Sequence, residues 1–281
     1  MVECREGNYF SINRYSMNEY ILPSYLDDLV FKQLGGIYAP SGMDISVIDW
    51  SVGGGKNDIN AYLGTYFPRS YAESMHIFSL YFEKHKFIQN RESLSVFDFG
   101  CGTGGEIIGL LSVLDRFPNL KSIEIKGLDG NQGALRLCEK IVDVYQKQTD
   151  KVITFTPAPI FIEDFYDLSI LDKCLTSSFD IIMSFKAVCE FVTKDVFNQE
   201  NPYKHIADFM FKKLNPNGII LLEDVTTKNS VFSQWLPVLM EQGLSGYKIV
   251  EKNKEYNETI YVSHSRKTDD KSKIAWRIIN N

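Results

Sequence analysis

The sequence predicts an α/β fold: a doubly wound, mostly parallel sheet with helices on both faces, an antiparallel last strand and an N-terminal helical cap. Three observations predict it. After residue 90, apolar segments of strand length alternate with segments of helical periodicity. The last three strand-like segments follow one another with no helix of useful length between them. The first 90 residues show no clear strand alternation.

Five strands and the helices between them should form the parallel part of the sheet. The strands are expected at 94–99, 122–128, 151–155 with 160–162, 179–185 and 219–223, and the helices at 106–117, 132–148 and 206–213. Helix 132–148 is indicated by apolar residues at helical spacing. The run Asn-Pro-Asn-Gly at 215–218 marks the end of the helix that precedes the fifth strand.

The two ends of the chain predict different structures. Segments 246–251, 259–263 and 274–279 indicate an antiparallel edge. At the other end we expect a helix at 20–34, a loop at 35–55 and a helix at 58–66, which Pro68 should interrupt before a second helix begins. The chain should therefore form two units, a mainly helical cap (residues 1–90) over the carboxyl edge of the sheet and a main domain (residues 91–281).

Composition limits the classes of protein that the chain can belong to. Its 281 residues are 44% hydrophobic, which is enough to bury a full core. No segment reaches the roughly 18 apolar residues of a membrane helix, and the N-terminus lacks the order of a signal peptide, so we expect a cytoplasmic protein without membrane contact. The five cysteines are scattered and indicate neither a disulfide framework nor a metal site. The net charge of −6 argues against nucleic acid as a partner, although a local basic patch would still permit one.

The most informative segment is a strand that ends in an acid, followed by a glycine-rich turn and a helix. It contains Asp98, Gly100, Cys101, Gly102, Thr103 and Gly104. Glycines let a backbone approach a ligand closely, and the first turn of the next helix offers free N–H groups to a carboxylate or phosphate. Two interpretations compete, because Gly100, Gly102 and Gly105 also fit the G-x-G-x-x-G fingerprint of NAD-binding folds.

With Asp98 and Gly104 included, the run resembles the D-x-G-x-G-x-G loop of class I S-adenosylmethionine (SAM) dependent methyltransferases. An acid two residues before the first glycine is ordinary in that family and unusual in NAD-binding folds. The resemblance implies a seven-stranded Rossmann-like sheet with a reversed last strand, SAM as the cofactor and S-adenosylhomocysteine (SAH) as its product.

The resemblance also implies which residues hold SAM. The glycine loop should contact the methionine part, with Asp98 near its ammonium. Asp129, followed by Gly130, should bind the ribose hydroxyls, although it lies further from Gly100 than the about 20 residues of the common fingerprint. The remaining candidates are Asp164 and Phe165 at the adenine, with Glu163 as the alternative, Ser184 and Phe185 after the fourth strand, and Arg69 at the methionine carboxylate.

The candidates for catalysis are Glu190, Lys186 and Tyr71. The segment around Lys186 and Glu190 lacks the [DNS]-P-P-[YFW] signature of methyltransferases that act on adenine, cytosine or glutamine. Further proton acceptors could be Glu223, Asp224 or, less favoured than a packing role, His76. The aromatic segment 62–73 could line a substrate pocket, and it is faintly similar to a segment of ribosome-associated methyltransferases, whose cysteine cluster is missing here.

The sequence therefore predicts a SAM-dependent methyltransferase that transfers a methyl group to an oxygen or nitrogen nucleophile by in-line displacement. The acceptor is expected to be a small molecule or a protein side chain. Three alternatives remain open: an RNA- or ribosome-directed methyltransferase, a SAM-binding scaffold without turnover, and an NAD-binding oxidoreductase.

Overall fold

The computed structural model describes residues 18–40, 56–191, 200–227, 234–253 and 257–280. Most of the predicted loop 35–55 lies outside them, from residue 41 onward.

The described chain forms one sheet flanked by helices. Its strands are β1 (Glu19–Ile21), β2 (Ser93–Phe99), β3 (Ser122–Asp129), β4 (Val152–Pro159), β5 (Phe179–Phe185), β6 (Leu214–Val225), β7 (Lys248–Lys252), β8 (Glu258–His264) and β9 (Lys267–Asn280). Its α-helices are α1 (Ser24–Asp28), α2 (Lys56–Lys84), α3 (Gly105–Leu114), α4 (Gln132–Gln146), α5 (Ser169–Cys174), α6 (Pro202–Phe211) and α7 (Leu236–Gly243). A π-helical turn follows α1 at Leu29–Gln33, and a 3₁₀ turn follows β5 at Val188–Phe191.

The sheet has the predicted parallel centre and antiparallel end. Its strand order is β1-β8-β9-β6-β5-β2-β3-β4, and β7 also pairs with β9. Strands β2 to β6 are parallel to one another, whereas β9 runs antiparallel to β6, β7 and β8. The nine strands exceed the seven expected by two, because β8 and β1 extend the sheet beyond β9.

Helices cover both faces of the sheet, as a doubly wound fold requires. One apolar cluster joins α1 to α4 to the first face, and a second joins α5, α6 and α7 to the other. Successive side chains of a strand point to opposite faces of the sheet, so neighbouring residues at a strand end pack against different helical layers. Near the end of β6, Leu221 belongs to the first cluster and Leu222 to the second.

The N-terminal helices differ from the prediction at two prolines. The predicted helix 20–34 is instead strand β1, which pairs with β8, followed by α1. Pro23 explains the break, since a residue that precedes proline disfavours helical geometry. Conversely, α2 continues through Pro68 as a single helix of 29 residues. Packing outweighs the hydrogen bond lost at the proline, because the neighbouring Phe67 and Tyr71 are buried.

Among the helices that the structure describes, none combines the length and the apolar character needed to cross a bilayer. The same residues contain no group of three or more His, Cys, Asp or Glu side chains arranged as a metal site.

Candidate functional site

The glycine loop between β2 and α3 has the backbone that its glycines predict. Gly100, Gly102 and Gly104 have φ values of 79°, 47° and 80°, a left-handed region that other residues rarely adopt. Gly104 is also the N-cap residue directly before α3, and no side chain caps this end. The first N–H groups of α3 are therefore available to an anionic group. Cys101 and Thr103 are buried within the loop.

Asp129, at the end of β3, fixes this loop. Its carboxylate accepts hydrogen bonds from the backbone N–H of Gly102 at 2.8 Å and of Asn131 at 2.7 Å. Burial raises the pKa of Asp129, and the two backbone hydrogen bonds oppose this shift. The side chain keeps some solvent contact, as expected of a residue that borders a cleft. Its predicted role at the ribose stays a prediction.

Asp98 is a buried acid without a donor. It is fully buried, and neither carboxylate oxygen has a hydrogen-bond partner in the described part of the chain. Burial, together with Cys138 and Asp129, raises the pKa of Asp98 well above its usual range. The carboxyl of Glu106, in the first turn of α3, interacts with it. Two carboxyl groups can hydrogen-bond only when one carries a proton, so the pair needs either a proton or a cation.

The residues expected around the adenine and after β5 lie in different surroundings. Phe165 is buried and stacks on Phe191 with ring centroids 4.8 Å apart. Asp164 is exposed and accepts the backbone N–H of Tyr166 at 2.9 Å. Ser184 and Phe185 are both buried within β5. The cofactor-binding roles of all four stay predictions.

Phe161 is a candidate that the sequence analysis assigned only to a strand. Its ring is 49% exposed, and a Cβ placed on Gly130 would lie 3.0 Å from the ring atom Cδ2. Gly130 follows Asp129 directly, so an exposed aromatic face lies beside the predicted ribose site. The sequence feature that could have identified Phe161 is an aromatic residue just beyond the carboxyl end of an edge strand.

Helix α2 lies across the glycine loop. A Cβ on Gly102 would be 2.7 Å from the Tyr62 hydroxyl oxygen, and one on Gly105 would be 2.5 Å from the Phe67 carbonyl oxygen. Tyr66, one turn after Tyr62, packs against it with ring centroids 5.0 Å apart. Both tyrosines keep partial solvent contact. Helix α2 therefore packs directly on the glycine loop, and the partly exposed Tyr62, Tyr66 and Asp129 mark the edge of the candidate cleft.

Lys186, directly after β5, joins the sheet to α2 through a buried ion pair. Its Nζ donates to both carboxylate oxygens of Glu73, at 2.5 and 2.6 Å. The backbone of Lys186 is left-handed, with φ 53°, an uncommon conformation for a residue with a side chain. Burial lowers the pKa of Lys186, but the carboxylates of Glu73 and Glu223 outweigh it and the net shift is upward.

Glu223, near the end of β6, lies close to this ion pair and is not part of it. It is 1% exposed, and neither carboxylate oxygen has a hydrogen-bond partner among the described residues. Burial and the Glu73 carboxylate raise the pKa of Glu223 well above its usual range, although Lys186 opposes this. The next residue, Asp224, faces the opposite layer and accepts the Tyr203 hydroxyl at 2.8 Å.

Glu190 lies in the short turn after β5. Burial of the carboxyl group, and then the carboxylates of Asp129 and Asp224, raise the pKa of Glu190 to about 8. The side chain is nonetheless in contact with solvent, which moderates the effect of these neighbours. Glu190 also interacts with Tyr62 and Tyr66, so it shares their cleft.

Three other candidates already have partners elsewhere. Arg69 donates two hydrogen bonds to Asp270 of β9, from its Nε at 2.9 Å and from one Nη at 2.7 Å. Tyr71 is buried in the core, and burial raises its pKa to about 12. His76 lies between the Tyr20 hydroxyl and Glu258, at 3.0 and 3.1 Å. The predicted functional roles of Arg69 and Tyr71 are not tested by these contacts and stay predictions.

Comparison with protein families decides between the two interpretations of the glycine loop. Residues 90–277 match the model of a family described as a methyltransferase domain. The chain belongs to this methyltransferase family. It is a class I SAM-dependent methyltransferase, so the cofactor of the glycine loop is SAM rather than NAD. A comparison with curated proteins gave no match.

Several solved structures are similar to this methyltransferase at low sequence identity. One concerns the conversion of a disulfide bond into a thioacetal group during echinomycin biosynthesis (14% identity, 71% of this chain and 79% of that one, TM-score 0.46). Another is the DszA carbon methyltransferase (13%, 75% and 53%, TM-score 0.43). A third is a class I SAM-dependent methyltransferase of Listeria monocytogenes (11%, 74% and 60%, TM-score 0.41). Because these TM-scores are below 0.5, the similarities add nothing to the family match.

The site of the methyltransferase fits SAM in chemical terms. SAM carries an ammonium, a sulfonium and a carboxylate. The fully buried carboxylate of Asp98, which has no donor among the described residues, suits a cationic group. The uncapped N-terminus of α3 suits the carboxylate.

Proposed function

We propose that this methyltransferase acts on an oxygen or nitrogen atom of a small molecule, or of a protein side chain, that binds between α2 and the ends of β5 and β6. The observation that carries the proposal is Glu190. It combines an exposed side chain with a raised pKa and shares a cleft with Tyr62 and Tyr66. A carboxylate of this kind suits removal of a proton from an acceptor near neutral pH.

The proposed mechanism assigns separate tasks to the elements around the cleft. When bound, SAM supplies an activated methyl group, so the protein chiefly has to orient the acceptor and exclude water. The Glu190 carboxylate accepts the proton that an alcohol or protonated amine loses. Helix α2, as part of a cap formed by residues 1–90, covers the acceptor, and its Glu73 holds Lys186 beside the cleft.

The proposal is tested by varying pH in a methyl-transfer assay that uses labelled SAM and pooled small-molecule acceptors. If the Glu190 carboxylate is the base, the rate of methyl transfer should rise with pH until about 8, because only the deprotonated form accepts a proton. The substitution Glu190→Gln should lower the rate about 100-fold or more and abolish this rise. SAH affinity, measured by calorimetry, should change little. A Glu190→Gln enzyme that keeps both its rate and its pH profile would disprove the role.

A further inference from the structure

We propose that the methyl acceptor carries a protonated amine, which binds to the Glu223 carboxylate and to the ring face of Tyr66. This inference rests on the proposed function and names the substrate class of the same site. The cationic nitrogen serves as an anchor, whether or not it is also the atom that receives the methyl group.

The first argument is the unsatisfied carboxylate of Glu223. A buried polar group without a hydrogen-bond partner is costly, and a buried charge without one is costlier still. Lys186 does not hydrogen-bond Glu223: its ammonium donates to both oxygens of Glu73, and neither Glu223 oxygen has a partner among the described residues. Glu223 lies on the sheet face that α2 covers, two residues after Leu221, which belongs to the same apolar cluster as α2. A donor supplied by the acceptor would satisfy this carboxylate.

The second argument is the balance of charge around the cleft. Three buried carboxyl groups, those of Glu73, Glu106 and Glu223, interact with one lysine, Lys186, and a fourth, that of Asp98, interacts with Glu106. SAM brings one excess positive charge, so the remaining carboxyl groups must either keep a proton or meet a further cation. An anionic acceptor would add repulsion, and a neutral one would leave the excess in place. A cationic acceptor would reduce this excess of negative charge.

The third argument is the shape of the α2 face that borders the cleft. Tyr62, Tyr66 and Glu73 recur at helical spacing and therefore lie on one side of the helix. The two tyrosine rings pack against each other and keep partial solvent contact. The charges of Arg69 and Lys186 both act on the Tyr66 hydroxyl, so Tyr66 lies in the same charged region as the ion pair. An aromatic face next to a carboxylate is a favourable site for an ammonium group.

The experiment uses the full chain saturated with SAH and three probes of similar size: n-butylammonium chloride, n-butanol and sodium butyrate. Ligand-observed NMR titration at constant ionic strength gives each dissociation constant. We expect the ammonium to bind at least about tenfold more tightly than the alcohol and the carboxylate, which corresponds to one charge-assisted hydrogen bond. Glu223→Gln should remove this preference. The matched control Glu139→Gln, which changes an exposed acid of α4, should keep it.

A second pair of variants covers the case in which Glu223→Gln fails to fold. Tyr66→Phe keeps the ring face and should bind n-butylammonium as the native protein does, whereas Tyr66→Leu should weaken binding about fivefold. Equal affinity for the three probes, or a preference that survives both Glu223→Gln and Tyr66→Leu, would overturn the inference. Failure to bind SAH would instead count against the function itself, so calorimetric SAH binding separates the two outcomes.

Discussion

Asp98 shows how folding and cofactor binding make opposite demands on one residue. Its carboxylate is fully buried without a donor in the described chain, and Glu106 adds a second acid beside it. Burying such a group costs free energy that the folded protein has to offset elsewhere. A cationic group of the cofactor would recover this cost on binding. The cost of burying Asp98 in the free protein therefore makes binding of a cationic cofactor group more favourable.

This conflict predicts the effects of Asp98→Asn. The amide cannot ionise, so the free protein should become more stable by about 1 kcal/mol or more at about pH 8. SAH affinity should fall at least about tenfold, because the carboxylate no longer meets the ammonium. Urea unfolding and calorimetric titration measure the two effects. The control Asp143→Asn, at an exposed position of α4, should change stability by less than about 0.5 kcal/mol. Tight SAH binding by Asp98→Asn would contradict the assignment.

Residues could be predicted from the sequence where one local feature determines them. The left-handed Gly100, Gly102 and Gly104 follow from glycine spacing alone. The partner of Lys186 could not be predicted, because Glu73 lies 113 positions away and meets it only after α2 has packed. The pairing of Arg69 with Asp270 is equally non-local, over 201 positions.

At the scale of elements, the contact between α2 and α3 places the aromatic wall of the cleft. A Cβ on Gly109 of α3 would be 2.5 Å from the Tyr71 carbonyl oxygen and 2.7 Å from the Ser74 Cβ. The Ser74 hydroxyl also donates to the Glu106 carbonyl oxygen at 2.7 Å. Glycine at this position lets the two helices approach closely. The position of Tyr62 over the glycine loop depends on that approach.

Gly109→Ala tests this dependence. Alanine favours a helix over glycine by about 1 kcal/mol, but overpacking against a helix backbone costs about 1–3 kcal/mol. We therefore expect net destabilisation in urea unfolding, together with weaker SAH binding because α2 is displaced. An exposed helical control, Glu139→Ala, should change stability by less than about 0.5 kcal/mol. A more stable Gly109→Ala protein would show that α2 and α3 have room to move apart.

The elements of the parallel sheet could be predicted because each has its own pattern, whereas the N-terminal ones depend on distant contacts. Helix α4 follows from apolar residues at helical spacing, and its observed bounds differ only at the end. Strand β1 has three residues and exists because β8 pairs with it. Helix α2 crosses Pro68 because packing against α3 holds both sides of the proline.

At the scale of the whole molecule, buried acids are divided into two groups with opposite effects on stability. Asp98, Glu106 and Glu223 have raised pKa values because they are buried with few donors. Asp270 has a pKa below its usual range: burial opposes this shift, but the nearby His264, 3.6 Å away, and two hydrogen bonds from Arg69 outweigh it. The first group lines the candidate site. The second group, to which Asp270 belongs, connects α2 to the β8–β9 hairpin.

These two groups predict a maximum in the dependence of stability on pH. A raised pKa means that the folded state binds its proton more tightly, so the stability contributed by Asp98, Glu106 and Glu223 is present at low pH and is lost as pH rises through their folded pKa values. Asp270 contributes above its unfolded pKa, and this contribution is lost as pH falls. The unfolding free energy of the protein without SAM should therefore decline as pH rises above about 4, the unfolded pKa of a carboxyl group, by up to about 1.4 kcal/mol per pH unit for each titrating group. Glu223→Gln should make this decline shallower and leave the loss of stability at acid pH unchanged. Asp270→Asn should instead change the loss of stability at acid pH.

Urea unfolding at a series of pH values measures the unfolding free energy on both sides of its maximum. A free energy that rises steadily toward pH 9 would mean that the three carboxyl groups are already compensated, and that the site does not need a cation.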